Sequence, residues 1–379
     1  MDKMKKIYWW IQQINRIGGT EMVSLDLANS LVDHYDITFI STVKIREDIP
    51  YKIDPRIKLI SLEIPPRCEQ IDYLSKKYLK HFRIFSLLFL LLQIMYHYVI
   101  RRGHYRKKVY KLLEKDNATL ICSSIDTYLL APKKGRVFFH YHFDSDSFFN
   151  RDGWAVKRSR RPDKFIFLSN ATKNEIIEKQ PDLKDIATYI YNPIRFESVL
   201  NTDYFDNTIV FVGRYAEQKN PLLTLAIAKE LKERNFKFKL KMFGNGPLLD
   251  EVMKYYEDNN LQDVVEINGF SEHVNEEILH SDMLLVTSRY EGFSLVMSEA
   301  NALSRPWVSS NYGNTLKERL VKDRNGVVVE GENPKDYADA IIKLLSDKDK
   351  LKKMKEYSYE ESKKLSKEVI VPEWIKILG

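Results

Sequence analysis

The residue types best suited to chemistry stand in one run, Ser288-Arg289-Tyr290-Glu291-Gly292-Phe293-Ser294-Leu295-Val296-Met297-Ser298-Glu299-Ala300. An apolar stretch, residues 283–287, precedes it, and a helical pattern begins at Leu295, so the run reads as the turn from a strand into a helix. Glu291 falls on the loop and Glu299 about two turns into the helix. The amides of Gly292, Phe293 and Ser294 are expected to point outward at the helix N-terminus, where N–H groups lack partners and an anion is favoured. Gly292 lets a ligand approach the backbone closely. One glycerol-like or sugar group would meet Glu291, while Glu299 reaches a second polyhydroxyl group farther along. Two acids at this separation mean little among 53 acidic residues. Gly-Phe-Ser directly after the first, at a strand–helix turn, makes the pattern specific.

The elements that must position this run alternate along the chain. In the first half, strands are expected at 6–11, 35–41, 119–122, 136–139, 164–168 and 188–191. Asn15-Arg16-Ile17-Gly18-Gly19-Thr20 is turn chemistry after the first of them, with Thr20 as N-cap of a helix carrying Met22, Val23, Leu25, Leu27, Ala28, Leu31 and Val32. In the second half, strands at 208–212, 238–243, 264–267, 283–287, 307–310 and 326–329 enclose helical patterns near 222–232, 248–256, 274–279 and 295–303. Strands alternating with helices imply right-handed βαβ units and parallel sheets. Asn192-Pro193 makes a natural break. The fold class is therefore α/β, two Rossmann-like doubly wound lobes facing across a cleft, with ligands beyond the carboxyl ends of the strands.

Glu-Gly-Phe with a second Glu eight positions after the first resembles the E-x7-E signature of family 4 retaining glycosyltransferases, which have the GT-B fold. Other pieces fall in the same order. Phe211-Val212-Gly213-Arg214 and Glu217-Gln218-Lys219-Asn220 resemble the family's phosphate-binding Arg and Lys. Gly244-Asn245-Gly246-Pro247 resembles its Gly-x-Gly-Pro turn, Asn268-Gly269-Phe270 the segment near the base, and Gly18-Gly19-Thr20-Glu21 its Gly-rich first loop. The resemblance covers nearly the whole chain and is strongest over 210–329. It implies that Arg214 and Lys219 hold the donor diphosphate and offset charge on the leaving group. Glu299 would hydrogen-bond the ribose hydroxyls, and Glu291 would contact the donor sugar beside the amides of Gly292, Phe293, Ser294 and Leu295. No metal or other cofactor is implied, because fixed cations and a helix terminus take its place. Taken singly, each piece has a plainer reading: solvated charges for Arg214 and Lys219, a plain turn for Gly18-Gly19, an exposed helix residue for Glu299. Their joint occurrence in one order outweighs these.

Arg136-Val137-Phe138-Phe139-His140-Tyr141-His142-Phe143-Asp144 reads as a strand ending in two histidines. The resemblance implies a functional His here, close to the reacting sugar. His140 and His142 are both candidates, and His142 lines up slightly better by the Phe that follows it. A neutral imidazole would donate a hydrogen bond to a sugar hydroxyl, the alternative being a structural histidine. Asp144-Ser145-Asp146 is either acceptor-facing or a solvated turn. No carboxylate announces itself as a nucleophile, which favours same-face attack, the departing phosphate taking the acceptor's proton. Residues 1–192 are expected to form the acceptor-binding lobe and 193–379 the nucleotide-sugar-binding lobe, with a last helix at about 364–379 crossing back onto the first.

The 379 residues, 44% of them hydrophobic, suffice for two cores. Two cysteines, Cys68 and Cys122, are too few for a disulfide framework and lack metal-site spacing. The net charge of +7 is compatible with nucleic acid, a membrane surface or an anionic substrate. No zinc-finger, homeodomain or RNA-recognition pattern appears, so nucleic acid is not expected as a partner. Residues 84–100 carry no formal charge and are flanked by Lys76, Lys77, Lys80 and Arg83 before and Arg101, Arg102, Arg106, Lys107, Lys108 and Lys111 after. Gln93 and His97 interrupt the run, so a helix lying on an anionic membrane surface over roughly 76–111 is expected, with a buried core helix as the alternative. The expected activity is transfer of a hexosyl or N-acetylhexosaminyl group from a UDP-sugar to a cell-surface glycan, polymeric or lipid-linked, at the cytoplasmic face of the membrane. Teichoic acid, capsule and exopolysaccharide are all acceptor classes in play. The alternatives are an inactive glycan-binding or scaffold subunit with the same fold, or a GT-B epimerase or phosphorylase.

Overall fold

A computed structural model describes residues 4–15, 18–63, 101–320 and 324–379. It contains two wholly parallel sheets. The first comprises β1 (Lys6–Ile11), β2 (Asp36–Ser41), β3 (Lys58–Ser61), β4 (Thr119–Cys122), β5 (Arg136–Tyr141), β6 (Lys164–Phe167) and β7 (Ala187–Tyr189), in the order β3-β2-β1-β4-β5-β6-β7. The second comprises β8 (Thr208–Val212), β9 (Lys239–Phe243), β10 (Val265–Gly269), β11 (Met283–Val286), β12 (Trp307–Ser310) and β13 (Gly326–Val329), in the order β10-β9-β8-β11-β12-β13. In each sheet the order reverses beside the first strand. That is the doubly wound pattern, whose switch point opens a crevice past the strand carboxyl ends.

The helices are α1 (Gly19–Leu31), α2 (Arg101–Asp116), α3 (Ile125–Leu130), α4 (Gly153–Arg158), α5 (Asn170–Lys179), α6 (Pro221–Glu233), α7 (Leu249–Asp258), α8 (Val274–Leu279), α9 (Leu295–Ala302), α10 (Asn314–Arg319), α11 (Pro334–Ser346), α12 (Lys348–Ser362) and α13 (Lys367–Leu378). Both faces of both sheets are covered, which is why central strands are apolar throughout rather than alternating. In the first sheet Ile7, Trp9, Ile11, Phe39 and Phe138 pack one face with α1 and α13. Tyr8, Trp10, Leu120, Val137, Phe139 and Phe165 pack the other with α2 and α3. The second sheet divides likewise, Ile209, Phe211, Leu240, Met242 and Leu285 on one face and Val210, Phe243, Leu284, Val286 and Trp307 on the other.

Residues 190–207 link the sheets, and the last helix returns to the first lobe. Trp374 of α13 is fully buried 5.6 Å from Trp9, and Lys367 pairs with Asp26 of α1 at 3.0 Å. Arg136 donates to the carbonyls of Leu378 at 2.8 Å and Ile377 at 3.0 Å, a cation on the carbonyl-rich end of α13. A second tie lies at Glu318 of α10, whose carboxylate accepts the amides of Asn170 at 2.9 Å and Ala171 at 2.6 Å at the start of α5.

Two sequence expectations are corrected here, and one strand is added. Thr20 is not the N-cap of α1: Gly18 holds that position in extended conformation, and Thr20 lies inside the helix. The strand expected at 136–139 continues through Tyr141, so His140 sits within β5 rather than at its end. β3 was not anticipated, because Lys58 and Leu59 are exposed at the sheet edge and show no buried pattern. The expected surface helix over 76–111 lies outside the described residues up to 100. From Arg101 the chain is helical in α2. Among the described residues no helix is long and apolar enough to cross a membrane. Cys122 is a buried free thiol, and Cys68 lies outside the described residues.

Candidate active site

The loop after β11 carries Glu291, which is only 6% exposed. One of its oxygens, Oε1, accepts the Ser288 hydroxyl at 2.7 Å and forms a close ion pair with Lys219. Lys219 arrives on the loop after β8, its stem lying across Gly213. Thr287, at the end of β11, fixes that loop, its hydroxyl lying 2.8 Å from the Lys219 carbonyl and 3.0 Å from the Asn220 carbonyl. The loops are joined twice more, by the Arg289 amide on the Gln218 carbonyl at 2.8 Å and by the Gln218 side chain on the Tyr290 carbonyl at 3.0 Å. A buried carboxylate needs a compensating cation and donors, and here the two switch-point strands supply them. Arg214, on the same loop as Lys219, is exposed, and its guanidinium makes no ion pair or hydrogen bond among the described residues. It is a free guanidinium at the rim.

Gly244 and Gly269 shape the adjoining edge. Gly244, at φ 150°, places its amide 2.6 Å from the Gly269 carbonyl, and a Cβ on it would stand 1.9 Å from the Gly213 carbonyl oxygen. Only glycine lets the turn after β9 press so close to the Arg214 loop. Asn268 and Phe270 are exposed beyond them, Phe270 by 59%, and no hydrogen bond connects either to Glu291.

Helix α9 begins at Leu295, with Ser294 as an N-cap whose side chain makes no capping bond and whose buried hydroxyl has no partner among the described residues. The Phe293 side chain turns away into the first lobe's core beside Tyr191, with the Arg319 guanidinium 4.3 Å from its ring centre. Phe293 is thus an interlobe packing anchor, and only its backbone is available to a ligand. Glu299 lies farther along α9, 8% exposed, and its Oε1 accepts Arg195 Nη2 at 2.6 Å and Nε at 3.1 Å.

The first lobe meets this region at two places. A Cβ on Gly19 would stand 3.5 Å from Leu295, and one on Gly292 only 2.5 Å from the His142 carbonyl oxygen. Gly18 donates its amide to the Tyr51 hydroxyl at 2.8 Å. His142 lies just past β5, its ring 4.1 Å from that of His140, and its buried Nε2 has no partner among the described residues. His140 is completely buried, edge-on to Trp374 at 5.0 Å. Burial pushes the His142 imidazole down to about 3. Burial, followed by the charge of His142, pushes His140 well below the ordinary histidine range. Both rings are neutral at pH 7. The geometry separates the pair: His142 borders the cleft, whereas His140 is sealed behind it.

Asp144-Ser145-Asp146 sets two carboxylates one residue apart, but Asp144 caps a single helical turn, Ser145–Ser147, accepting the Ser147 amide at 2.6 Å. The structure therefore gathers Lys219, Ser288 and Glu291 in one cluster and brings Gly19, His142, Gly292 and Leu295 to one seam. Neither Asn268 nor Phe270 takes part in these contacts. Sequence reasoning missed Ser288, Thr287 and Arg195. A hydroxyl three residues before Glu291 was a legible signal, but an arginine on a linker was none.

Residues 194–361 match the model of the family described as glycosyl transferases, group 1. An uncharacterized glycosyltransferase of Methanocaldococcus jannaschii is 31% identical over 240 residues, which is 63% of this chain and 61% of that one. The poly(ribitol-phosphate) alpha-N-acetylglucosaminyltransferase of Staphylococcus aureus is 24% identical over 57% of this chain and 44% of its own length. The matches thus span about half of these relatives' lengths. Among solved structures, Staphylococcus aureus TarM, in complex with fondaparinux, alpha-GlcNAc-glycerol and UDP, superposes with a TM-score of 0.79 at 15% identity, covering 99% of this chain and 100% of that one. The chain therefore has the two-lobed GT-B fold, and its residues 194–361 match the glycosyl transferases of group 1.

Proposed function

We propose that this chain is a retaining, metal-independent glycosyltransferase of the family 4 type. It moves a hexosyl or N-acetylhexosaminyl group from a UDP-sugar to a cell-surface glycan such as teichoic acid, capsule or exopolysaccharide. The observation that carries the reading is the Lys219–Glu291–Ser288 cluster, set beside a glycine pressed against His142 of the other lobe. The UDP-containing structural neighbour and the sugar-transferring relative support the donor and acceptor classes.

In this reading the free Arg214, together with Lys219, takes the donor diphosphate. Lys219 then exchanges part of its pairing with Glu291 for the phosphate, and Glu291 turns its hydrogen-bonding capacity to the sugar. The α9 N-terminus adds partial positive charge where negative charge grows. Neutral His142 donates a hydrogen bond to a sugar hydroxyl from the acceptor side. The bond from the anomeric carbon to the phosphate oxygen breaks as the acceptor oxygen approaches on the same face, and the acceptor's proton passes to the departing phosphate. Residues 1–192 would hold the acceptor, with 76–111 against the anionic inner face of the membrane, and 193–379 the donor.

The test is a donor screen with UDP-, GDP- and ADP-sugars, in EDTA, scoring nucleotide release and thermal shift. Release with one UDP-sugar, lost in Glu291→Ala and Arg214→Ala, is the expected result, and the product's anomeric configuration by NMR checks retention. A folded protein that responds to no nucleotide sugar would overturn the reading in favour of a glycan-binding scaffold.

A further inference from the structure

Glu299 is held by a residue outside every recognisable motif. Both bonds from Arg195, at 2.6 and 3.1 Å, end on the same oxygen, Oε1, and Oε2 has no protein partner among the described residues. The carboxylate is nearly buried, with 11% of its side chain exposed against 30% for Arg195. Such a pair differs from an exposed surface ion pair, which contributes little, because a guanidinium fixed on one oxygen dictates where the other points.

Arg195 is itself fixed. It lies on the linker between the lobes, pinned on one side by the Ile194 amide on the Leu365 carbonyl at 2.8 Å. On the other, the Val199 amide bonds the Ala302 carbonyl at the end of α9 at 2.7 Å. Its charge also reaches α1 of the first lobe. Burial pushes the Asp26 carboxyl up, and Lys367 first and Arg195 after it oppose that shift. The guanidinium therefore stands where both lobes and the linker meet.

We infer that Arg195 is a positioning residue for the donor, holding Glu299 so that its free oxygen meets the ribose hydroxyls of the nucleotide. The inference rests on the nucleotide-sugar reading of the site. It makes ribose recognition depend on the interlobe linker: a shift of the 194–199 backbone withdraws Arg195 and releases Glu299 into other rotamers. Arg195 touches no substrate atom in this arrangement and acts only through Glu299.

The test measures binding of UDP and of 2′,3′-dideoxy-UDP by calorimetry to the wild-type chain and to Arg195→Ala, Arg195→Lys and Glu299→Ala, each checked by thermal melting. The wild type is expected to prefer UDP. Arg195→Ala is expected to weaken UDP about tenfold and leave the dideoxy analogue unchanged. Arg195→Lys should recover part of the loss, and Glu299→Ala should abolish the preference. Equal losses for the two nucleotides would overturn the inference alone, as would tighter UDP binding in Arg195→Ala, which would mean that the guanidinium occludes the ribose site. Failure of the wild type to bind either nucleotide overturns the nucleotide-sugar reading itself, and the inference with it.

Discussion

Adding one methyl group at Gly292 strains the interlobe seam directly. A Cβ there would stand 2.5 Å from the His142 carbonyl oxygen and 3.0 Å from Phe143 Cα. Both atoms are backbone just past β5, so neither can swing aside as a side-chain tip would. Restoring an ordinary carbon–oxygen contact of ~3.4 Å requires roughly 0.9 Å of separation. Gly292 and His142 ride on different sheets, and the relief comes from parting the lobes. A misplacement of about 1 Å between catalytic partners costs on the order of 100-fold in rate. Gly292→Ala is therefore expected to lower kcat about 100-fold. Donor KM should change less than about threefold, because Lys219, Glu291 and Glu299 all belong to the second lobe. The melting temperature should fall by only a few degrees, the cost of loosening Phe293 in the first lobe's core as the lobes part. Steady-state kinetics with the UDP-sugar found in the donor screen, together with a thermal melt, make the test. A wild-type kcat in Gly292→Ala would refute the claim that this seam sets the catalytic geometry.

Other outcomes follow from the same contacts. Glu318→Ala removes the acceptor of the Asn170 and Ala171 amides, and unfolding by urea should show a loss of about 1–3 kcal/mol. Trp374→Ala empties a fully buried site between α13 and Trp9; it should cost about 3–5 kcal/mol and raise protease sensitivity at the chain's end. Stability should also depend on pH through the two histidines. In the unfolded chain each binds a proton near pH ~6.5. In the folded chain burial prevents this until about pH 3 for His142, and His140 is likewise held well below its usual range. The unfolded state thus binds more protons below pH ~6.5, so stability is complete above that pH. It falls on acidification by roughly 1.4 kcal/mol per pH unit for each histidine. Urea unfolding between pH 7.5 and 5 should have a shallower pH slope in His140→Asn with His142→Asn than in the wild type, and identical slopes would refute the assignment.

The sequence by itself determined the alternation of elements, and therefore the two parallel sheets. Runs such as Ile7 to Ile11 and Met283 to Val286 are apolar at every position, a pattern that suits a strand covered on both faces. It also singled out Glu291 and Glu299 as candidates, because Gly-Phe-Ser at a strand–helix turn is a local feature with local consequences. Its failures were of two kinds. Elements with little burial of their own, such as the edge strand β3, carry no periodic signal. The partnerships between distant elements were equally silent. Nothing in the sequence pairs Arg195 with Glu299, aims Lys219 at Glu291, turns Phe293 into the first lobe, or separates buried His140 from cleft-bordering His142. Those contacts join residues on different elements, where the identity of a neighbour depends on how sheets, linker and terminal helix pack. Local sequence set which groups were available for chemistry, and only the tertiary structure decided which of them meet, because a side chain's partners are fixed by the packing of whole elements rather than by spacing along the chain.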